Sequence, residues 1–366
     1  FRGTLDVSCW TQDFIPTIRI FSTLGQPDWL AAYLAILIPL PIASIILMKF
    51  NQGKNLLIRL IPFLLLVLFY VDLLYTRARS GFLGVWISLI FFAALYYWIS
   101  GKPKISISQE KLKSPLSILF FGFLIITFVI GTPISQLNKF TLQGIGSYFQ
   151  KAQSPKLQTQ PLEAGGLARR SPAERDEGGT ESGDIRLNVW AGAINAWRAN
   201  PIFGTGVETF AFAYYKHKPA SQNLTSEWNF LYNKAHNEFL NYLATTGLFG
   251  LGTYLAMIGF FLTIVILRLK AEGSQILRSA QNDKMLVLAL LASYISILVT
   301  NFFGFSVVIT NIYLFMIPAF VFILSGMIKV ETKDQRPTTD KLSPFSLTGI
   351  FFILAASIFL LITLFR

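Results

Sequence analysis

MLVLALLASYISILVTNFF, residues 285–303, is followed by Gly304-Phe305-Ser306 and then by VVITNIYLFMIPAFVFILSG, residues 307–326. Each run is about as long as the ~20 apolar residues a helix needs to cross ~30 Å of hydrocarbon. Lys284 precedes the pair and Lys329 follows it, so the stretch reads as two membrane helices joined by a tight turn. Working outward, six more runs of this kind stand near 29–48, 57–76, 81–99, 116–132, 238–267 and 345–365. The expected fold class is an all-α integral membrane protein, a polytopic helical bundle of about eight spans with one large loop.

Composition agrees. Of 366 residues, 53% are hydrophobic and only 14% charged, and 34 are Phe; mean hydropathy is +0.54. An ordinary soluble domain carries roughly 25% charged residues. The formal charge of +12 raises the question of nucleic acid. Lys and Arg fall mostly in short segments between apolar runs, however, which is a topology signal, and no nucleic-acid partner is expected. A basic excess also suits a phosphate-bearing ligand. The single Cys9 rules out an intrachain disulfide, and no Cys/His group has zinc spacing. The chain begins at Phe1, and residues 1–28 lack the basic-then-apolar order of a signal peptide; a trimmed chain is the expectation.

The connecting segments set the orientation. Lys49 and Lys54, then Lys102, Lys104, Lys111 and Lys113, then Arg268, Lys270, Arg278 and Lys284, then Lys329, Lys333, Arg336 and Lys341 all fall on one side. That side is read as cytoplasmic. The expected organisation is an extracytoplasmic segment 1–28, four spans in 29–132, a large extracytoplasmic loop 133–237, three spans in 238–326, a cytoplasmic loop 327–344 and a last span in 345–366. Within the large loop, 133–150 is a mixed stretch, and 151–184 is rich in Pro, Gly, Ser, Gln and charge and is expected to be disordered. Residues 185–237 regain apolar content. Asp184 is expected to cap a helix with Ile185, Val189, Ile194 and Trp197 on its apolar face, ended by Pro201. A turn at Gly204 and Gly206 and a second short helix through Phe210 and Tyr214 follow.

Arg77 and Arg79 occupy the short outer turn 76–80, against the charge bias that places cations inside. Two snorkelling side chains would account for them as well as a site would. The functional reading is an anion site, because guanidinium is always charged and grips phosphate bidentately. Arg186 and Arg198 lie twelve residues apart, about 120° on a helix, and so share no stripe. Arg186 is expected in the first turn, where free N–H groups favour anions; ordinary solvated arginines fit the spacing too. His236, followed by Asn237 and Glu238, stands just before the fifth span. Histidine exchanges protons near neutral pH, and Glu238 is a second candidate base, although a polar interfacial residue is the commoner explanation. Asp72 within the second span is either a buried carboxylate or an interfacial one. Gly204-Thr205-Gly206 lacks the third glycine of a dinucleotide fingerprint and reads as a turn, and the sequon Asn223-Leu224-Thr225 is a common chance pattern.

Taken together and in order, these motifs resemble the O-antigen ligase and Wzy-type polymerase family, across roughly residues 20–325. Gly25-Gln26-Pro27-Asp28 is similar to a family segment that usually has Asn in the last place. Arg79-Ser80-Gly81 is similar to its Ser-Arg-small motif, with Ala78 in place of Ser. Arg186, Trp190 and Pro201-Ile202-Phe203-Gly204-Thr205-Gly206 resemble its Arg, Trp, Pro-x-x-Gly-x-Gly string. His236-Asn237-Glu238-Phe239-Leu240 and Gly247-Leu248-Phe249-Gly250 resemble its His-Asn-x-x-Leu and Gly-x-x-Gly. The resemblance implies a GT-C-like membrane glycosyltransferase that works without a metal or other cofactor. Its donor would be an undecaprenyl-pyrophosphate-linked glycan, and its acceptor a hydroxyl of a lipid, glycan or protein. The site would face outward from the bacterial cytoplasmic membrane. Arg79 and Arg186 would hold the pyrophosphate, His236 would act on the acceptor, and Arg77, Arg198, Asn237 and Glu238 would contact substrate. The family usually has further spans upstream. Ligase, polymerase and protein glycosyltransferase share these motifs, and a lipid-linked glycan flippase is the non-enzymatic alternative.

Overall fold

The computed structural model describes residues 19–47, 56–99, 115–142, 182–271, 281–325 and 327. Among these the regular structure is entirely helical. The long helices are α1 (Pro27–Leu37), α2 (Pro39–Leu47), α3 (Leu56–Tyr75), α4 (Arg79–Ile99), α5 (Pro115–Ile130), α6 (Ser182–Ala199), α7 (Phe210–His217), α8 (Glu238–Ala271), α9 (Gln281–Phe303) and α10 (Val308–Leu324). All but α6 and α7, which lie in the expected large loop, overlap seven of the eight expected spans, and 345–365 lies outside the described residues. Pro27–Leu47, Arg79–Ile99, Glu238–Lys270 and Asp283–Phe303 are long and apolar enough to cross a membrane, and Leu60–Tyr75, Ile118–Ile130 and Val308–Leu324 are shorter apolar helices. The protein is an all-α polytopic membrane protein.

The first expected span is two helices. Proline at 39 has no N–H to donate, and α1 closes at Ile38, whose N–H still reaches Leu34 O at 3.0 Å. The expected cap at Asp184 is corrected: α6 starts at Ser182, which places Asp184 inside the first turn. Its carboxylate still lies beside the positive end of the helix. Arg186 is consequently the fifth helical residue, beyond the first turn. Residues 182–184 are helical, so the tract expected to be disordered stops short of them, while 151–181 lie outside the described residues.

The chain divides into two compact units: Phe1–Gln143, Val265–Leu298 and Val307–Arg366 in the first, and Gly144–Ile264 with Val299–Ser306 in the second. In the first unit α1 is the packed centre, with Leu30, Ala31, Leu34, Ala35 and Ile36 buried against α3, α4 and α10. Lipid tails are as apolar as leucine, so close backbone approach and polar ties hold such helices together more than water exclusion does. Gly81 of α4 supplies the approach, since a Cβ there would stand 2.5 Å from the Ala31 Cβ. The ties include Ser293 Oγ donating to Ile36 O at 2.6 Å and the Tyr70 and Thr127 hydroxyls at 2.7 Å. Leu64 and Ile90, each about two-thirds exposed, suit contact with lipid.

In the second unit α6 turns Ile185, Val189, Ala193 and Ala196 onto Phe210 and Tyr214 of α7 and onto Tyr232, Ala235 and Ala244. That stripe follows the three-and-four spacing of one helical face. Gly192 lets the Tyr214 ring lie against α6, because a Cβ would meet the ring at 2.4 Å.

Candidate functional site

In the first unit, α3 ends at Tyr75 and α4 begins at Arg79, leaving a three-residue turn. Thr76 Oγ1 donates to Leu73 O at 2.6 Å and accepts from Ala78 N at 3.2 Å, and Arg77 N reaches Leu74 O at 3.1 Å. These bonds bury Thr76, Ala78 and Ser80 and leave Arg77 and Arg79 exposed. Both guanidinium groups therefore stand in the accessible part of one turn. Arg77 holds φ 50°, in the left-handed region. A third arginine, absent from the sequence reading, joins them: Arg19 donates through Nε to Thr76 O at 2.8 Å and through a terminal nitrogen to Asp28 at 3.1 Å. The only sequence signal was Asp28 itself, where the family pattern has Asn. Asp72, one helical turn below Thr76, is 5% exposed, and its Oδ2 has no hydrogen-bond partner among the described residues.

In the second unit, loop 201–206 and α8 form a single construction. At Gly247 (φ 67°, ψ −165°) α8 breaks its helical path. The break frees the carbonyls of Ala244 and Thr245 and the N–H groups of Leu248 and Phe249, which a regular helix would pair with each other. The loop takes all four. Thr205 N donates to Ala244 O at 3.0 Å and Gly206 N to Thr245 O at 2.8 Å, while Leu248 N donates to Pro201 O at 2.9 Å and Phe249 N to Ile202 O at 3.1 Å. Two glycines make the approach possible. A Cβ on Gly247 would lie 2.3 Å from Ile202 O, and one on Gly204 would lie 2.3 Å from the Thr245 carbonyl carbon. The Pro-x-x-Gly-x-Gly and Gly-x-x-Gly motifs, forty residues apart in sequence, are thus two halves of one joint.

His236 sits at the head of α8 with φ 51°. Around it, Asn237 Oδ1 caps the helix by accepting from Leu240 N at 3.0 Å, and Asn241 Oδ1 accepts from Ala235 N at 3.3 Å. Buried Glu238 accepts from Ser306 N at 3.0 Å. The imidazole lies edge-on to Tyr232 and Phe305, with ring centroids 5.9 and 5.3 Å away. Burial, reinforced by its hydrogen bond to Glu227, pushes the Tyr232 phenol above its ordinary value, and burial pushes Tyr214 up to about 12. Both phenols are therefore neutral at physiological pH.

Arg186 is half-buried on α6. Trp190, one turn further on the same face, meets Phe302 at 5.8 Å, and Phe302 meets Phe239 at 6.3 Å. The Arg186 face and His236 thus both abut the segment 302–306. Arg198 is exposed in the last turn of α6, where a cation suits the helix dipole. A shallow, open depression of about 370 Å³ lies beside loop 201–206 and is lined by Asn200, Thr205, Thr209, Phe212, Lys216 and His217. The Lys-flanked end of α7 was its one sequence signal. Arg77 and Arg79 belong to the first unit, and Arg186, Arg198, His236, Asn237 and Glu238 to the second.

The O-antigen ligase family model, Wzy_C, matches residues 63–255, more than half of the chain. The chain belongs to the O-antigen ligase family. No curated protein matches the chain. The match spans Arg77, Arg79, Arg186, Arg198, His236, Asn237, Glu238 and the Gly247 joint but neither Arg19 nor segment 302–306, and it is narrower than the 20–325 of the resemblance. As an O-antigen ligase family member the protein is a membrane glycosyltransferase-like enzyme of the ligase or polymerase kind, with lipid-linked glycan and acceptor as partners.

Proposed function

We propose that the protein transfers a glycan from an undecaprenyl-pyrophosphate carrier to an acceptor hydroxyl at the outer face of the bacterial cytoplasmic membrane, as an O-antigen ligase and without a metal. In this reading Arg79 and Arg186 are the pyrophosphate-binding residues, and Arg77 and Arg198 are further substrate-binding cations. The acceptor oxygen attacks the anomeric carbon, the bond from that carbon to the pyrophosphate oxygen breaks, and the leaving group departs with the electron pair. The guanidinium groups offset the charge that grows there. His236 takes the acceptor proton, a role worth about 10²–10⁴-fold. Asn237 and Glu238 border the acceptor and hold His236 in place.

The observation that carries the reading is the left-handed backbone at His236. Only four described non-glycine residues have positive φ, and two of them, His236 and Arg77, are candidate site residues. Such a backbone costs about 1–3 kcal/mol and persists where the surroundings over-determine it, which is common at active sites. The capped, hydrogen-bonded head of α8 is an environment of that kind. Lys216 and His217, in the depression beside loop 201–206, suit an acidic sugar.

The test uses Arg79→Ala, Arg186→Ala and His236→Asn in vesicles supplied with lipid-pyrophosphate glycan, at matched protein levels and with EDTA present. Asparagine tolerates the left-handed backbone, so His236→Asn removes the base with little strain. Loss of product in each variant, with wild-type activity surviving EDTA, is the expected result. Full activity in all three variants would sink the site. One-step transfer marks a ligase and a ladder of lengthening products a polymerase.

A further inference from the structure

We infer that loop 201–206 is a membrane-inserted element whose Ile202 and Phe203 side chains contact lipid acyl chains. The inference rests on the membrane architecture and not on the transferase chemistry. Ile202 and Phe203 are 60% and 72% exposed, and Leu248 and Phe249 of α8 are 55% and 64% exposed. The four form one apolar patch: the Phe203 and Phe249 rings lie 6.0 Å apart, and main-chain bonds join Pro201 to Leu248 and Ile202 to Phe249. In water, such a cluster would mark an interaction surface.

The occupant follows from continuity and from depth. Along α8, Leu255, Met257, Phe260 and Leu267 are exposed apolar side chains, so the helix turns an apolar face outward. The patch is the outer continuation of that lipid-facing surface. Its depth can be counted. Leu267 is the last apolar residue before Arg268 and Lys270, which belong at the opposite interface. Counting back the ~20 residues that cross the hydrocarbon reaches Leu248. Residues 238–246, with Glu238, Asn241, Thr245 and Thr246, then rise out of it, and the loop bonded at 248 and 249 sits at the outer boundary of the hydrocarbon.

A loop at that depth must satisfy its own polar main chain, because lipid offers no partners. This one largely does. The Pro201 and Ile202 carbonyls accept from α8, Thr205 and Gly206 donate to it, and Gly204 N donates to Asn200 O at 3.0 Å.

The experiment uses the full chain with Cys9→Ser, reconstituted in phosphatidylcholine vesicles, carrying a single spin-labelled cysteine at 203, at 249 or at the exposed polar position 223. Collision rates with oxygen, which partitions into lipid, and with a water-soluble nickel chelate are compared by power saturation. The ratio of oxygen to nickel accessibility is expected above unity at 203 and 249 and below unity at 223. Nickel accessibility at 203 equal to that at 223 overturns the inference. So does dipolar broadening between labels at 203, which would put a second copy of the chain on the patch. Position 249, itself on a membrane helix, reports whether the variant has folded and inserted: a lipid signal at 249 with an aqueous one at 203 refutes the loop's insertion alone.

Discussion

Replacing Gly247 with alanine tests the joint between loop 201–206 and α8. At φ 67° and ψ −165° the backbone occupies a region essentially reserved for glycine, and forcing another residue there costs about 1–3 kcal/mol. The added methyl also meets backbone and not a movable side chain: Ile202 O at 2.3 Å, Ile202 C at 2.4 Å and Gly204 N at 2.6 Å. Overpacking of this kind costs about another 1–3 kcal/mol. If the loop retreats to relieve the clash, up to four main-chain bonds weaken, at about 0.5–1.5 kcal/mol each. The expected loss is therefore about 2–6 kcal/mol, read as a melting temperature lowered by at most roughly 4–24 °C at the ~2–4 °C per kcal/mol of a protein of about 150–250 residues. Gly252→Ala is the matched control. It lies in the same helix with nothing within 4 Å of its added Cβ, and alanine there stabilises the helix by up to about 1 kcal/mol. Thermal unfolding of the detergent-solubilised protein reads both, and limited proteolysis reports whether the loop has come free. A Gly247→Ala protein that melts with Gly252→Ala and keeps its loop protected would refute the account of the joint.

Asn237→Ala removes the cap on α8 and is expected to cost about 0.5–2 kcal/mol, read as a lower melting temperature that Asn237→Asp largely restores. Gly81→Ala pushes a methyl to 2.5 Å from Ala31 and is expected to destabilise the first unit by about 1–3 kcal/mol, whereas Gly122→Ala, with open space around it in α5, is expected to raise stability by up to about 1 kcal/mol. Burial, chiefly, raises the folded-state pKa of the Tyr232 phenol above its ordinary value of about 10. Its contribution to stability is therefore complete below pH 10 and fades as pH rises toward the folded-state value. Alkaline unfolding of Tyr232→Phe should lack that component, and an identical alkaline profile would contradict the assignment.

The spans were legible because a membrane helix is declared by length and apolarity, and both are local properties of the chain. The break after Ile38 was legible in principle too, since Pro39 and Pro41 stand inside the run. What sequence did not show was partnership across distance. Gly204 reads as a turn and Gly247 as part of a Gly-x-x-Gly motif, and nothing in either says that one fills the hydrogen bonds the other opens. Asn237 and Glu238 read as polar groups near a histidine; the Asn237 cap is a local bond three residues along, whereas the Glu238 bond depends on where Ser306 returns. Arg19 escaped for the same reason, because its carbonyl partner lies fifty-seven residues on. The position of Arg186 in its helix was misread because α6 begins before the first apolar residue of its stripe.

The joint at Gly247 is written almost wholly in main-chain atoms. Its specification therefore resides in glycines and in chain length more than in side-chain identity. The thirty-seven residues from Val207 to Leu243 form a bridge anchored at both feet, and insertions there leave the feet where they are. A single residue added or removed at 202–206 or 244–249 shifts every donor off its acceptor at once. Drift in this region should accordingly accumulate as substitutions and as length changes within the bridge, while the two short footings hold a fixed count.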